Sequence, residues 1–146
     1  MQKTANLDTL DSLELLLQLK KEENIPIQQI VDEDDNTLLH KAIMFSQLDV
    51  VRYLIHHHPI LCNVKNSFNA YPIHLAVVKN EMPILRLVSK NSKKCVNKRD
   101  IYGYTPAQYA AVSGQYETLK YLLDYSYAKP NKLTKKGKLN LLHLGV

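Results

Sequence analysis

Residues 100–123 read DIYGYTPAQYAAVSGQYETLKYLL, and the order of residue types in this stretch decides the fold. Gly103-Tyr104-Thr105-Pro106 is a turn feeding a helix start. Gly103 admits positive φ, the Thr105 hydroxyl can accept from a free N–H of the first turn, and Pro106 suits the first helical position, where its missing N–H costs nothing. A short helix is therefore predicted from Pro106 to about Ser113. Gly114 breaks it, and residues 117–123 form a second amphipathic helix with Glu117 in its first turn, where the helix dipole favours an acid.

The same order recurs along the chain. Thr37-Leu38-Leu39-His40, Tyr71-Pro72-Ile73-His74, Thr105-Pro106-Ala107-Gln108 and Asn140-Leu141-Leu142-His143 align, with their fourth positions 34, 34 and 35 residues apart. A period of that length marks a stack of supersecondary units, each burying its apolar face against the next. The pattern resembles the ankyrin repeat, with its turn, T-P-L-H helix, Gly break, outer helix and V-N loop. Asp100, Gly103, Thr105, Pro106, Ala110, Ala111, Gly114, Glu117, Leu122 and Leu123 carry the match in one repeat. An earlier repeat keeps Thr37, Leu39, His40, Ala42, Asp49, Val50, Val51 and Leu54, and the one between keeps Pro72, His74, Ala76, Ile84, Val96 and Asn97.

The fold this implies is an all-α solenoid of stacked helix-turn-helix units with hairpin loops. Residues 1–31 are read as an N-terminal capping helix and connector. Residues 32–146 are read as repeats, at about 32–65, 66–99 and 100–134, with a partial fourth at 135–146. The cap helix is expected over residues 8–21, where Leu10, Leu13, Leu16 and Leu17 share one side, acids occupy the first turns and Lys20 and Lys21 the end. In the first repeat, helices are expected near residues 38–45 and 48–56. Asn80 and Gly114 should take positive φ between paired helices. Ser46, at the same place, tolerates that conformation less well than Asn. Pro83 fits only as the first residue of an outer helix. The polar, basic stretch 89–94 predicts a longer, mobile loop. The chain stops at Val146, inside what the pattern makes an inner helix, so the natural protein is expected either to continue or to cover that flank otherwise.

Several functions lack the residues they need. The four glycines form no G-x-G pair, which leaves no material for a dinucleotide fingerprint or phosphate-cradling loop. Leu15-Leu16-Leu17 is far too short to span a membrane, and Asp8, Asp11 and Glu14 are wrong for a signal peptide. Cys62 and Cys95 lie out of phase in successive repeats, so a disulfide is not expected and a reducing cytoplasm is the default compartment. Lys93 and Lys94 could at most lower the Cys95 pKa, and no base is apparent beside it. His56-His57-His58 point about 100° apart on a helix and converge poorly on one ion; they read as a solvated helix end. His40, His74 and His143 recur with the period and read as structural, as in the ankyrin pattern, where this histidine ties inner helix to hairpin. No catalytic residue, cofactor or metal site is expected.

Charge is divided unevenly. Residues 1–35 hold nine acids and three lysines, while the rest of the chain holds sixteen basic and five acidic residues, for a net +5 overall. The stack is thus expected to be a dipole, able to steer a complementary partner. Lysines 129, 132, 135, 136 and 138 form a basic stretch read as a solvated connection. The basic residues are mostly lysine spread over loops, so nucleic-acid binding is not expected.

Ankyrin proteins bind protein partners with hairpin tips and the exposed side of the inner helices. The corresponding positions are Glu33, Asp34, Asn36, Met44 and Phe45, then Lys65, Ser67, Phe68, Val78 and Lys79, then Arg99, Ile101, Tyr102, Tyr104, Val112 and Ser113. The partner-binding set drawn from them is Phe45, Lys65, Phe68, Lys79, Arg99, Tyr102 and Tyr104, aromatic anchors with a basic border. For Phe45 and Phe68 the alternative is packing between repeats. The function expected is a protein-protein interaction module of the cytoplasm, with no small-molecule substrate, nucleic acid or membrane as partner. The alternative is the targeting part of a larger enzyme or bacterial effector delivered into host cytoplasm, with a catalytic domain beyond Val146. Sixteen lysines against three arginines suggest an AT-rich coding sequence and lend that alternative weak compositional support.

Overall fold

The computed structural model describes residues 25–125. The expected cap helix, the basic stretch at 129–138, His143 and the partial fourth repeat lie outside the described residues. Three helix pairs follow in order: α1 (Leu38–Met44) with α2 (Leu48–His57), α3 (Pro72–Lys79) with α4 (Met82–Lys90), and α5 (Pro106–Val112) with α6 (Tyr116–Tyr125). Short 3-10 helices occupy Ile27–Gln29 and Pro59–Asn63. Among the described residues the β pairing is one isolated antiparallel bridge, Val31 to Thr37, at the base of the first hairpin.

The period in the sequence is a period in the core. Ala42, Ala76 and Ala110 are fully buried, as are Leu54, Val88 and Leu122, each set 34 residues apart. Inner helices pack on inner helices, α1 on α3 and α3 on α5, and α2 packs on α4. Alanine on the inner helices lets their backbones approach, while branched residues on the outer helices fill the wider space behind.

Each repeat turns at two left-handed residues. Asp35, Asn69 and Gly103 in the hairpins and Ser46, Asn80 and Gly114 between paired helices all have φ between 56° and 91°. Asp, Asn and Gly are the residue types that visit this region at least cost. Ser46 adopts it as well, and its Oγ donates to Glu81 Oε1 of the next repeat at 2.6 Å. Asn80 also bonds the next repeat, at a different position and as acceptor, its Oδ1 accepting from Thr118 Oγ1 at 2.7 Å.

Two expectations are revised. Residues 89–94 are the end of α4 followed by a compact turn: Ser92 is fully buried, its Oγ donates to Val88 O at 2.6 Å, and Ser89 Oγ bonds the Tyr121 hydroxyl at 2.8 Å. Serine satisfies its hydroxyl locally and so can close a helix without glycine. Pro83 is the second residue of α4, after Met82, where the backbone N–H would also have lacked a partner within the helix.

Candidate functional site

The hairpin tips are shaped by one side chain per repeat. Asp32 Oδ1 accepts from the N–H of Asp34 and Asn36, at 2.8 and 2.9 Å. Asn66 Oδ1 does the same for Phe68 and Ala70, at 2.9 and 3.0 Å, and Asp100 Oδ1 for Tyr102 and Tyr104, at 2.9 and 3.0 Å. A short side chain two and four residues upstream of the donors folds the backbone round itself, and either a carboxylate or an amide will serve. The tips then join edge to edge: Ser67 N–H donates to Asp34 O and Ile101 N–H to Phe68 O, both at 2.9 Å.

The inner helices are tied to the hairpins by His40 and His74. Thr37 N–H donates to His40 Nδ1 at 3.1 Å, which leaves Nε2 with the proton it gives to Ala70 O at 3.0 Å. Tyr71 N–H meets His74 Nδ1 in the same way, and His74 Nε2 donates to Lys98 O at 3.0 Å and Tyr104 O at 3.3 Å. Burial lowers the His40 pKa to about 4, against weaker upward pulls from the Ala70 carbonyl and Asp32. His74 is lowered too, chiefly by burial. In the third repeat Gln108 replaces the histidine; its Oε1 accepts from Thr105 N–H at 3.2 Å, and its buried Nε2 has no partner among the described residues.

Between the hairpin tips and the inner helices lies a groove of about 320 Å3. Asp34, Phe68 and Tyr102, one from each tip and 34 residues apart, form one wall. Met44, Leu75, Val78 and Tyr109 of α1, α3 and α5 form the other, with Asn36, Asn66, Ala70, His74 and Asp100 lining it as well. The volume is at the low end of the ~300–1,000 Å3 typical of ligand pockets, and the walls are largely apolar.

Of the seven residues expected to bind a partner, the groove brings together Phe68 and Tyr102. Phe45 and Lys79 each follow a lining residue, Met44 or Val78, and the turn of about 100° per residue carries them out of the wall. Tyr104 stands one repeat beyond Ala70 and two beyond Asn36, and is half-buried. Lys65 is exposed and Arg99 half-buried; neither lines the groove, whose charged lining is Asp34 and Asp100. Phe45 and Phe68 are 43% and 44% exposed, so neither is enclosed between repeats. Leu75 and Tyr109 were missed. Their signal is the i, i+3 step to Val78 and Val112, the exposed positions one turn later on the same helices.

Elsewhere, both cysteines are free and buried. Burial raises the Cys62 thiol to about 11, and it also raises Cys95 against the opposing pull of Lys98 and Lys94, so both thiols are poor nucleophiles at neutral pH. His56 and His57 are exposed, and no group of three or more potential metal ligands occurs among the described residues. No helix of the described residues is long and apolar enough to cross a membrane.

A family model described as ankyrin repeats in three copies matches residues 59–134, and one described as ankyrin repeats in many copies matches residues 5–55. The chain belongs to the ankyrin-repeat family. Ankyrin arrays are in general non-catalytic interaction modules, and the groove described above is built from the hairpin tips and inner helices of all three repeats. The array is also similar to the probable 26S proteasome regulatory subunit p28 of Saccharomyces cerevisiae, at 27% identity over 101 residues, 69% of this chain. The chain spans 44% of the length of that relative.

Proposed function

We propose that the array binds a partner protein in the groove between its hairpin tips and inner helices and performs no chemistry of its own. The observation that carries this is the exposure of apolar side chains at repeat-equivalent positions along that groove: Phe68 and Tyr102 on the tips, Met44 and Val78 on the helices. Contiguous apolar surface on a water-exposed face usually marks a contact. The hydrogen bonds within and between tips hold these side chains on a fixed frame, which lowers the ordering cost of binding. Phe45, Lys65, Lys79, Arg99 and Tyr104 then belong to the rim or lie outside the contact. The similarity to p28, named as a subunit of a larger assembly, agrees with a role in association. Two free, buried thiols fit work in a reducing compartment such as the cytoplasm.

The test compares variants once a partner has been captured and identified. Phe68→Ala and Tyr102→Ala should each weaken binding by about 2 kcal/mol, roughly thirtyfold, with circular dichroism unchanged. Lys90→Ala, exposed at the end of α4, should bind like the parent. If both aromatic variants fold and bind like the parent while Lys90→Ala loses affinity, the partner uses another face.

A further inference from the structure

The groove carries a charge opposite to that of the protein. The chain has a formal net charge of +5, yet the charged side chains lining the groove are the carboxylates of Asp34 and Asp100. Neither charge is required by the fold. Asp100 holds its turn through Oδ1, but the neutral Asn66 holds the same turn one repeat earlier at the same distances. Asp34 holds no turn, since Asp32 has that task in the first hairpin; Asp34 contributes its backbone N–H and O, and Phe68 and Tyr102 occupy its place in the later repeats. Lys41, on the first inner helix, is already paired with Asp32 at 3.0 Å.

Two carboxylates beside apolar walls are a poor setting for an apolar side chain, which would strip water from them without returning a partner. An acidic segment would be repelled. A lysine or arginine satisfies both features of the groove, because its methylenes cover apolar surface while its head remains available to a carboxylate. Aromatic faces at Phe68 and Tyr102 add attraction for a cation. We propose that the groove receives a basic segment of the partner protein, one lysine or arginine at Asp34 on the first hairpin and another at Asp100 on the third, with their stems and the residues between them against Met44, Phe68 and Val78. The proposal rests on the reading of the groove as the partner-binding face, and it adds the chemistry of what enters.

A random peptide library displayed on phage and selected against the full 146-residue chain tests it without knowledge of the partner. Selected peptides should share a Lys or Arg next to apolar residues. The strongest binder is then synthesised and its affinity measured, at low and high salt, for the parent, the double variant Asp34→Asn/Asp100→Asn and Phe68→Ala. The double variant keeps the amide that Asn66 shows to be sufficient for the turn, so its fold should be retained, as circular dichroism will report. It should lose tenfold or more in affinity and most of the salt dependence. Changing the basic residues of the peptide to Met should cost as much against the parent and little more against the double variant. Peptides without a shared basic residue, recovery of no binder, or full affinity for the double variant would each overturn the proposal. If Phe68→Ala nevertheless loses affinity in the last case, the groove remains the contact face and only its preference for a cation is wrong. If Phe68→Ala also binds fully, the groove reading itself fails.

Discussion

His40 shows how one buried side chain makes the stack sensitive to pH. Its neutral ring accepts at Nδ1 from its own helix cap and donates at Nε2 to the next hairpin, and burial holds its pKa at about 4. An unfolded chain takes up that proton near pH 6.5, so between about 6.5 and 4 the unfolded state binds more protons than the folded one. The stability contributed by the neutral ring is therefore complete above about pH 6.5 and lost as pH falls toward 4, with His74 acting in the same direction. For His40 the loss should approach about 3 kcal/mol at pH 4. His40→Gln places at this site the residue that already occupies it in the third repeat, where the Gln108 amide keeps the bond to Thr105 N–H and does not titrate. Urea denaturation followed from pH 7.5 to 4.5 should give a steeper decline for the parent than for His40→Gln. Parallel curves would show that His40 is not the group responsible.

At the scale of the helix pair, the joint is a single left-handed residue. Gly114 has φ 73°, and a Cβ built there would meet no heavy atom within 4 Å, so a substitution meets backbone strain and no clash. Gly114→Val should cost about 1–2 kcal/mol in urea denaturation, and Gly114→Asn less, because Asn80 already serves at φ 56° in the preceding repeat. Equal stability of Gly114→Val and the parent would mean that the joint relaxes into another conformation. The joints, the inner-helix starts and the alternation of inner and outer helices were all legible, since glycine, asparagine, threonine and proline act through their own backbone preferences. The groove was legible only in part. Phe68 and Tyr102 could be placed because they sit at tips, but choosing Met44 over Phe45, or Val78 over Lys79, needs the rotation of each inner helix about its axis. That angle is set by packing against the neighbouring repeat. Nor did sequence spacing reveal that Asp100 lines the groove while Lys65 and Arg99, next to the turn residues Asn66 and Asp100, do not.

Across the whole molecule, stability in a stack is a sum of repeat and interface contributions, so a repeat packed on both sides carries more than one packed on a single side. Within the described residues α3 packs against α1 on one side and α5 on the other, and its Ala76 is fully buried. Its equivalents Ala42 and Ala110 are equally buried, which means that the small side chain is what sets the spacing of the inner helices in every repeat. Ala76→Leu inserts three further carbons where the neighbours are already in contact, and overpacking of that kind typically costs about 1–3 kcal/mol. The effect should be read at both interfaces. The tips move with the inner helices, because His40 and His74 bond the hairpin carbonyls of Ala70 and Tyr104 in the next repeat, so a wider spacing also separates Phe68 from Tyr102. Two measurements on the same variant check this: the urea midpoint of Ala76→Leu should fall, and its affinity for whatever binds the parent groove should fall with it under conditions where circular dichroism still shows a folded chain. A lower midpoint with unchanged affinity would mean that the hairpins keep their spacing independently of the helices and that the groove is set by the tip-to-tip bonds alone.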